Sequence, residues 1–322
     1  MTRLRRSNTS RPAFSRVRSG RGFSYRDPDG TTVTDRLLRA RFDALVIPPA
    51  WTDVWIAPHP NGHIQATGID DAGRRQRIYH AAWREQRDIA KFDRALDLAA
   101  ALPPARRRVT RVLRSGGTTR ERALAAAFRM LDVGCLRIGS EQYALDYGSR
   151  GISTLLCSHA STHEGSVALT FPAKSGQMWQ SEIDDADLAA FVRARKRRGP
   201  DARLLAWQEG STWQALSAEE INDYIRERTG GSFTAKDFRT LHGTSAAATS
   251  LAKHGPERTQ RARTSAIAEA MREAASVLGN TAAIARKSYV DPRIVDLYNA
   301  GTTLDLRPGG APESRLIALL NS

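Results

Sequence analysis

The clearest periodic pattern lies between Pro48 and Tyr79, where apolar and polar residues alternate. Three alternating segments, TDVWIAP, HIQATGI and RRQRIYH, are separated by the turn sequences PNG and DDAG. Period-two alternation over short segments bounded by turn residues is typical of strands, so we predict a three-stranded antiparallel meander. An amphipathic stretch over 34–45 precedes it. Residues 1–23 are basic and have no apolar run, which predicts a flexible basic arm.

Beyond about residue 90 the helical period dominates. A helix over 83–102 is predicted to end at the Pro103–Pro104 pair, because proline cannot donate the helical hydrogen bond. A helix over 265–278 is predicted to stop at Gly279. Capping residues predict the starts of three further helices: Thr118, Ser217 and Thr234.

Residues 150–184 interrupt the helical pattern. The segments ISTLLC, VALTF and QMWQSEI are short and rich in β-branched residues, with turn sequences HEGS and AKSG between them. They predict a three-stranded antiparallel sheet. The basic run RARKRRGP at 193–200 is interpreted as a solvated linker with a chance of phosphate contact. The fold class is therefore α+β, with a small β-sheet-rich domain at 1–90 and a larger, mainly α-helical domain at 91–322 that carries the three-stranded sheet.

Charge narrows the range of partners. The chain of 322 residues has a formal net charge of +15 and a pI of about 10.6. Such a balance favours a polyanion, most simply nucleic acid, although compositional bias alone could produce it. An apolar run of about 18 residues is absent from the sequence, so we expect no membrane span. Two cysteines provide neither a disulfide framework nor a set of zinc ligands, and they fit a cytoplasmic setting.

Lysine is rare, with 6 lysines among the 49 basic residues. Lysine can lose a proton at an accessible pKa and arginine cannot, so a lysine in an arginine-rich chain draws attention. Lys174, Lys236 and Lys287 all fall in segments with candidate chemistry.

Five residues in order could together perform phosphodiester chemistry. They are Arg137 in LRIGSEQY, Lys174 in FPAKSG, Arg239 in KDFRTLHGT, and Asn280 and Tyr289 in GNTAAIARKSYVDP. Two arginines can neutralise non-bridging oxygens, a lysine can protonate a leaving alkoxide, and a tyrosine can attack phosphorus. Each alone has an ordinary explanation: a surface ion pair, a solvated turn lysine, a helix-boundary residue or a packed tyrosine.

Their order and contexts, from about Ile47 to Tyr298, resemble the type IB DNA topoisomerases, in the short poxvirus-like and bacterial form. The resemblance implies relaxation of supercoiled duplex DNA through a DNA-(3′-phosphotyrosyl) intermediate and religation, with Tyr289 as nucleophile. It implies no ATP, no metal and no other cofactor. It also implies a β-rich N-terminal domain that clamps double-stranded DNA, a protein that acts as a monomer, and a nucleoid-associated location. Tyr298 is interpreted as a packing residue.

Two features refine this resemblance. Asn280 stands where many relatives carry histidine. Its amide can still donate to a non-bridging oxygen, but a proton-transfer role is not implied. The segment GRRQRIYH resembles the family's groove-contacting strand. Candidate DNA-binding residues are Arg74, Arg75, Gln76, Tyr79, Lys236 and Lys287.

Two other functions remain open from the sequence. A tyrosine recombinase would use the same nucleophile, but recombinases usually read H-x-x-R before the second arginine, and here the residues are Lys236 to Arg239. A basic architectural DNA-binding protein is the other alternative. FPAKSG lacks the upstream glycine of a P-loop, so nucleotide binding is not expected.

Overall fold

The computed structural model describes residues 3–307 and 311–321. Over these residues the chain is α+β, with ten strands and eleven α-helices. The strands are β1 Phe14–Ser19, β2 Gly22–Arg26, β3 Thr52–Ile56, β4 Ile64–Ile69, β5 Arg75–Tyr79, β6 Ala160–His163, β7 Ser166–Pro172, β8 Met178–Asp184, β9 Ala206–Glu209 and β10 Thr212–Ala215. The helices are α1 Arg36–Ala44, α2 Ala81–Arg114, α3 Arg120–Gly134, α4 Glu141–Tyr147, α5 Ala186–Lys196, α6 Ala218–Thr229, α7 Ala235–His254, α8 Gln260–Leu278, α9 Ala282–Ser288, α10 Pro292–Asn299 and α11 Pro312–Leu320. None of these helices is both long and apolar enough to cross a membrane.

Backbone contacts divide the chain into two compact units, Met1–Ala90 and Lys91–Ser322. The first unit contains a five-stranded antiparallel sheet in the order β2-β1-β3-β4-β5. The predicted meander is confirmed as β3, β4 and β5. Helix α1 places Phe42 under this sheet, with its ring 4.9 Å from that of Phe14 and 5.0 Å from that of Tyr25.

The prediction of a flexible basic arm at the N-terminus is wrong over the described residues. Strands β1 and β2 form a hairpin at the edge of the sheet, and β1 pairs with β3. The guanidinium of Arg16 donates to the carbonyls of Ile47, Pro48 and Trp51 at 2.7–2.9 Å and stacks on Phe23. A strand built from alternating arginines has few apolar residues, so its period-two pattern was hidden by its charge.

The second unit is organised around α3, whose residues from Ala123 to Leu131 are nearly all buried. The ring of Phe128 meets Phe238 of α7 edge-on at 5.3 Å and Tyr224 of α6 at 6.4 Å. The α7 and α8 helices pack side by side next to it. Candidate residues lie just after α3, in the first turns of α7 and just after α8; Tyr289 lies at the end of α9 and Lys174 in the turn between β7 and β8.

The predicted end of the second helix at Pro103–Pro104 is wrong, because α2 continues through both prolines to Arg114. An interior proline costs about 3 kcal/mol in a helix. Here one buried face continues on both sides of the prolines and offsets that cost. Its residues are Leu98, Leu102, Ala105, Val109 and Leu113.

The three-stranded antiparallel sheet is confirmed, in the order β6-β7-β8. Its first strand is Ala160–His163; the segment ISTLLC, predicted as a strand, forms short 3-10 turns. The predicted capping residues and the predicted end of α8 agree with the structure to within one residue. The capping box of Ser217 is confirmed, Thr234 is the N-cap of α7, the N-cap of α3 is Thr119 rather than Thr118, and α8 ends at Gly279 as predicted.

The basic run at 193–200 is not a solvated linker. Arg195 is 1% exposed, donates to the carbonyl of Ala206 and stacks on Phe191. Lys196 donates to the carbonyl of Cys157 at 3.0 Å, and the guanidinium of Arg198 lies over the ring of Trp213 at 4.2 Å. Arginine and lysine stems pack well against apolar groups, so a charge run can close a core.

Candidate active site

Tyr289 lies at the C-terminal end of α9, where its N–H still donates to the carbonyl of Ala285. The side chain is half-buried. Burial alone would raise the pKa of Tyr289, but the positive charge of the nearby Arg239 outweighs it, with further help from Arg137 and Lys236. The net pKa is lowered from 10.0. The environment therefore favours the phenolate, which is the nucleophilic form.

Arg239 is 3% exposed and comes from the second turn of α7. Its two terminal nitrogens donate to the backbone carbonyls of Cys135 and Leu278. Its Cζ lies 5.2 Å from the centroid of the Tyr289 ring, and its Nε is shielded from solvent without a hydrogen-bond partner. Carbonyls orient the guanidinium without neutralising it, so the positive charge acts on the tyrosine.

Arg137 follows the end of α3 in an irregular segment. That helix ends in the left-handed backbone of Cys135, φ 53°. The Arg137 guanidinium donates to the carbonyl of Gly279 at 3.2 Å. Its loop is held by close backbone approach, since a Cβ on Gly151 would lie 2.7 Å from the Arg137 carbonyl and 2.5 Å from the Cα of Gly139. Burial and the charge of Arg239 lower the pKa of Arg137, as expected of two cations placed together for an anion.

The C-terminal end of α8 joins these residues. Leu278 and Gly279 give their carbonyls to Arg239 and Arg137, and the next residue is Asn280. Carbonyls at a helix C-terminus carry partial negative charge and bind cations well. Both amide atoms of Asn280 are shielded from solvent and have no hydrogen-bond partner. Unpaired buried amide groups are costly, and a ligand that paired with them would remove that cost.

Lys174 lies in the 3-10 turn between β7 and β8, as the sequence predicted, and is exposed. The hairpin that carries Lys174 packs against the C-terminal end of α8 through the indole of Trp179. A Cβ on Gly279, whose φ is +54°, would overlap the Trp179 indole, which also stacks on Phe171 at 6.3 Å. The structure thus brings Arg137, Arg239, Asn280 and Tyr289 together and places Lys174 on a hairpin packed beside them.

Comparisons with known proteins match both units. The family model described as "Eukaryotic DNA topoisomerase I, catalytic core" matches residues 80–299, and that described as "Bacterial DNA topoisomerase IB, N-terminal domain" matches 22–70. The protein named DNA topoisomerase 1B of Acanthamoeba polyphaga mimivirus is 31% identical over 292 residues, covering 88% of this chain and 86% of the viral protein. The chain belongs to the type IB DNA topoisomerases.

Family membership favours the topoisomerase over the recombinase alternative and makes the protein an isomerase that acts on DNA. Lys236 is exposed in the first turn of α7 and contributes to the lowering of the pKa of Tyr289. Arg286 and Lys287 come shortly before Tyr289 in the chain. Both are exposed on α9. The main cations, Arg239 and Arg137, come from distant segments.

The N-terminal DNA-binding candidates lie on β5, the edge strand of the sheet, or directly before it. Arg74 and Gln76 both donate to the carboxylate of Asp70, at 2.8–3.0 Å, and hydrogen bonding from Arg74 lowers the pKa of that carboxyl. Arg75 pairs with Asp53 at 3.0 Å. Tyr79 is 36% exposed at the end of β5. Three of these four side chains are therefore paired with carboxylates in this structure.

The sequence analysis missed two residues of α7 that contact the main chain of Tyr289. A Cβ on Gly243 would lie 3.0 Å from both the Cβ and the carbonyl oxygen of Tyr289. The hydroxyl of Thr244, next in the chain, donates to that same carbonyl at 3.1 Å. The available signal was a glycine in the interior of a helix, in the segment KDFRTLHGT, which usually has a packing reason.

Proposed function

We propose that this topoisomerase relaxes duplex DNA by a cycle of strand cleavage and resealing in which Tyr289 is the nucleophile. The observation that carries this proposal is the position of Arg239, whose Cζ lies 5.2 Å from the Tyr289 ring centroid. Together with Arg137 it lowers the pKa of the tyrosine. The same two guanidiniums are suited to bind the non-bridging oxygens of the phosphate under attack.

In cleavage, the Tyr289 oxygen bonds to phosphorus and the bond from phosphorus to the 5′-oxygen breaks. Lys174 gives its proton to the departing 5′-oxygen, and the tyrosine remains joined to the 3′-phosphate. The number of phosphoester bonds is unchanged, so ATP is not required. The broken strand rotates about the intact one. The 5′-hydroxyl then returns its proton to Lys174, its oxygen bonds to phosphorus, and the bond from phosphorus to the Tyr289 oxygen breaks. A positioned general acid of this kind contributes about 10²–10⁴-fold.

The transition state carries additional negative charge on the non-bridging oxygens. Arg137 and Arg239 neutralise it, and Asn280 donates from its amide nitrogen. The unpaired Nε of Arg239 and the unpaired amide of Asn280 support this role, since both are free to bind an oxygen. Loss of one such donor costs on the order of 10²–10³ in rate. We propose that these side chains make a metal ion unnecessary.

DNA binding by the first unit completes the proposal. Arg74, Arg75, Gln76 and Tyr79 contact the duplex from that unit, and the exposed Lys236 contacts it from the second. Lys287, also exposed, is a further contact. A monomer then holds the duplex as a clamp, and several phosphate contacts make binding weaken steeply with salt. Two free cysteines are compatible with a nucleoid-associated role in the cytoplasm.

The test is relaxation of negatively supercoiled plasmid in EDTA without ATP, with wild type, Tyr289→Phe and Tyr298→Phe. Tyr298 is the matched control, since it is 1% exposed and its hydroxyl donates to the carbonyl of Gly255. Wild type and Tyr298→Phe are expected to relax the plasmid, and Tyr289→Phe is expected to bind DNA without relaxing it. Relaxation by Tyr289→Phe would overturn the assignment of the nucleophile. Dependence on added magnesium would overturn metal independence.

A further inference from the structure

The hydroxyl of Thr244 connects the backbone groups on either side of the nucleophile. Its Oγ1 donates to the carbonyl of Tyr289 at 3.1 Å and accepts from the N–H of Asp291 at 3.1 Å. Thr244 is 3% exposed in the middle of α7. A side chain that is buried and uses both its donor and its acceptor fixes the backbone it binds.

The backbone at Tyr289 needs such support because it lies between two short helices. The seven-residue α9 ends there, and α10 begins at Pro292. The N–H groups of Tyr289 and Val290 still donate to Ala285. The Tyr289 carbonyl and the Asp291 N–H lie beyond the last helical bond of α9, and Thr244 pairs with both. A helix as short as α9 is not stable alone, so tertiary contacts must set its position.

The preceding residue makes this contact possible. At Gly243 the absence of a side chain lets α7 approach within 3.0 Å of the Tyr289 Cβ and carbonyl oxygen, measured from where a Cβ would stand. The same helix carries Arg239, which lies over the tyrosine ring. One rigid helix therefore holds both the backbone of Tyr289 and the cation beside its ring.

We propose that Thr244 is a positioning residue for strand cleavage, which holds the Tyr289 main chain so that the phenolic oxygen reaches phosphorus in line with the leaving group. The inference rests on the proposed function, in which Tyr289 is the nucleophile. Thr244 bonds to the backbone of Tyr289 and Asp291, so its effect on the reaction passes through the segment that carries Tyr289. A displacement of about 1 Å at a reacting group can cost about 10²-fold in rate.

The experiment measures single-turnover cleavage of a nicked suicide substrate at saturating DNA. The variants are Thr244→Val, which keeps the shape and removes the hydroxyl, and Thr244→Ser, which keeps the hydroxyl. Thr240→Val is the matched control, because Thr240 is fully buried on the same helix and its hydroxyl donates to its own helix at Lys236. Cleavage by Thr244→Val is expected to fall about 10²-fold, with Thr244→Ser and Thr240→Val within a few-fold of wild type.

Religation of the covalent intermediate gives a second readout. Cleavage and religation share one transition state, so a positioning residue changes both rates by a similar factor and leaves their ratio nearly unchanged. The DNA affinity of Thr244→Val should match that of Thr240→Val. The Tm of Thr244→Val should be the lower of the two, because the Tyr289 carbonyl and the Asp291 N–H lose a buried partner. If Thr244→Val does not fold, Thr244→Ala against Thr240→Ala measures the same difference.

Two results would overturn the inference: Thr244→Val cleaving within about threefold of Thr240→Val, or a defect that disappears at saturating DNA. Tyr289→Phe in the same assay keeps the inference apart from the proposed function. A covalent adduct formed by Tyr289→Phe refutes the nucleophile itself. An inactive Tyr289→Phe beside an unimpaired Thr244→Val refutes the role of Thr244 alone.

Discussion

Arg239 lies over the ring of Tyr289, with its Cζ 5.2 Å from the ring centroid, and is held there by backbone carbonyls. Among the described residues, no carboxylate forms an ion pair with Arg239. The charge of a carboxylate paired with Arg239 would largely cancel the effect of the guanidinium charge on Tyr289. Held by carbonyls, Arg239 lowers the pKa of Tyr289, and in the proposed cycle it also binds the phosphate. This relationship underlies the first prediction.

Cleavage should depend on pH through Tyr289. The pKa of Tyr289 is lowered from 10.0. The single-turnover cleavage rate should therefore rise with pH, in an ascending limb that levels off below pH 10. Lys236→Gln removes one cation that lowers this pKa, so it should move the limb to higher pH. Rates at saturating DNA from pH 6 to 10 measure the shift.

Lys253→Gln is the control for that measurement, because Lys253 is an exposed lysine at the far end of the same helix. It should leave the limb where wild type has it. A limb unchanged in Lys236→Gln, or a rate independent of pH, would contradict the electrostatic role of the cations around Tyr289.

Gly279→Ala should impair catalysis more than stability. Its φ of +54° is unfavourable for alanine by about 1 kcal/mol. In addition its Cβ would overlap the indole of Trp179. Relief of that overlap must move either the hairpin of Lys174 or the carbonyl that binds Arg137. We expect cleavage to fall about 10²-fold at saturating DNA.

Gly230→Ala separates the two effects of that change. Gly230 ends α6 in the same left-handed conformation, φ +74°, and its Cβ would meet open space. It should lose about 1 kcal/mol of stability and no activity. Urea unfolding measures the stability of both variants. If Gly279→Ala and Gly230→Ala cleave DNA at the same rate, the contact with Trp179 does not position the site.

The ion pairs of α2 should contribute very unequally to stability. Arg106 forms two hydrogen bonds of 2.8 Å with Asp132, whose side chain is 2% exposed, and another of 2.6 Å with Glu313. Removing one partner of a buried pair costs about 3–5 kcal/mol, so Arg106→Ala should cost that much. Arg114, on the same helix, has a side chain that is 68% exposed and pairs with Asp187. Arg114→Ala should therefore cost under about 1 kcal/mol of stability. Urea unfolding compares them, and equal losses would refute the distinction.

Local patterns predicted most of the elements that the structure contains. The meander, two strands of the three-stranded sheet, the start of α3 to within one residue and the end of α8 follow from alternation, capping residues and glycines close to them in sequence. The failures involve residues whose partners are distant. Arg16 is a structural residue because of carbonyls from Ile47 to Trp51, and α2 passes through Pro103 because of packing on the core.

The candidate site shows the same division. Residue type and order made Tyr289 and Arg239 candidates, and the resemblance to a family supplied their roles. Their contact, and the support from Thr244, depend on how α7, α8 and α9 pack, which no local pattern encodes. The interior glycine of α7, Gly243, was the one local sign of that packing.

The stability of the second unit should fall in mild acid because of His242. Its Nε2 is shielded from solvent and has no hydrogen-bond partner. Burial lowers the pKa of the ring from 6.5, and the charge of Arg106 lowers it further. The carboxylates of Asp132 and Glu313 act in the opposite direction but do not outweigh the effect of burial. Below pH 6.5 the unfolded chain binds a proton that the folded protein does not. Stability should therefore decrease by up to about 1.4 kcal/mol per pH unit from pH 6.5 towards 5.

His242→Gln should flatten this decrease in urea unfolding experiments between pH 7.5 and 5. His254→Gln is the control, since His254 is on the same helix and its side chain is 34% exposed beside Glu269. The pKa of Glu313 is lowered from 4.5, mainly by Arg106 against the effect of burial, so its own contribution is lost only at more acidic pH. His159, whose pKa burial also lowers, should leave part of the slope in His242→Gln. An unchanged slope in His242→Gln would show that His242 takes up its proton as readily in the folded protein as in the unfolded chain.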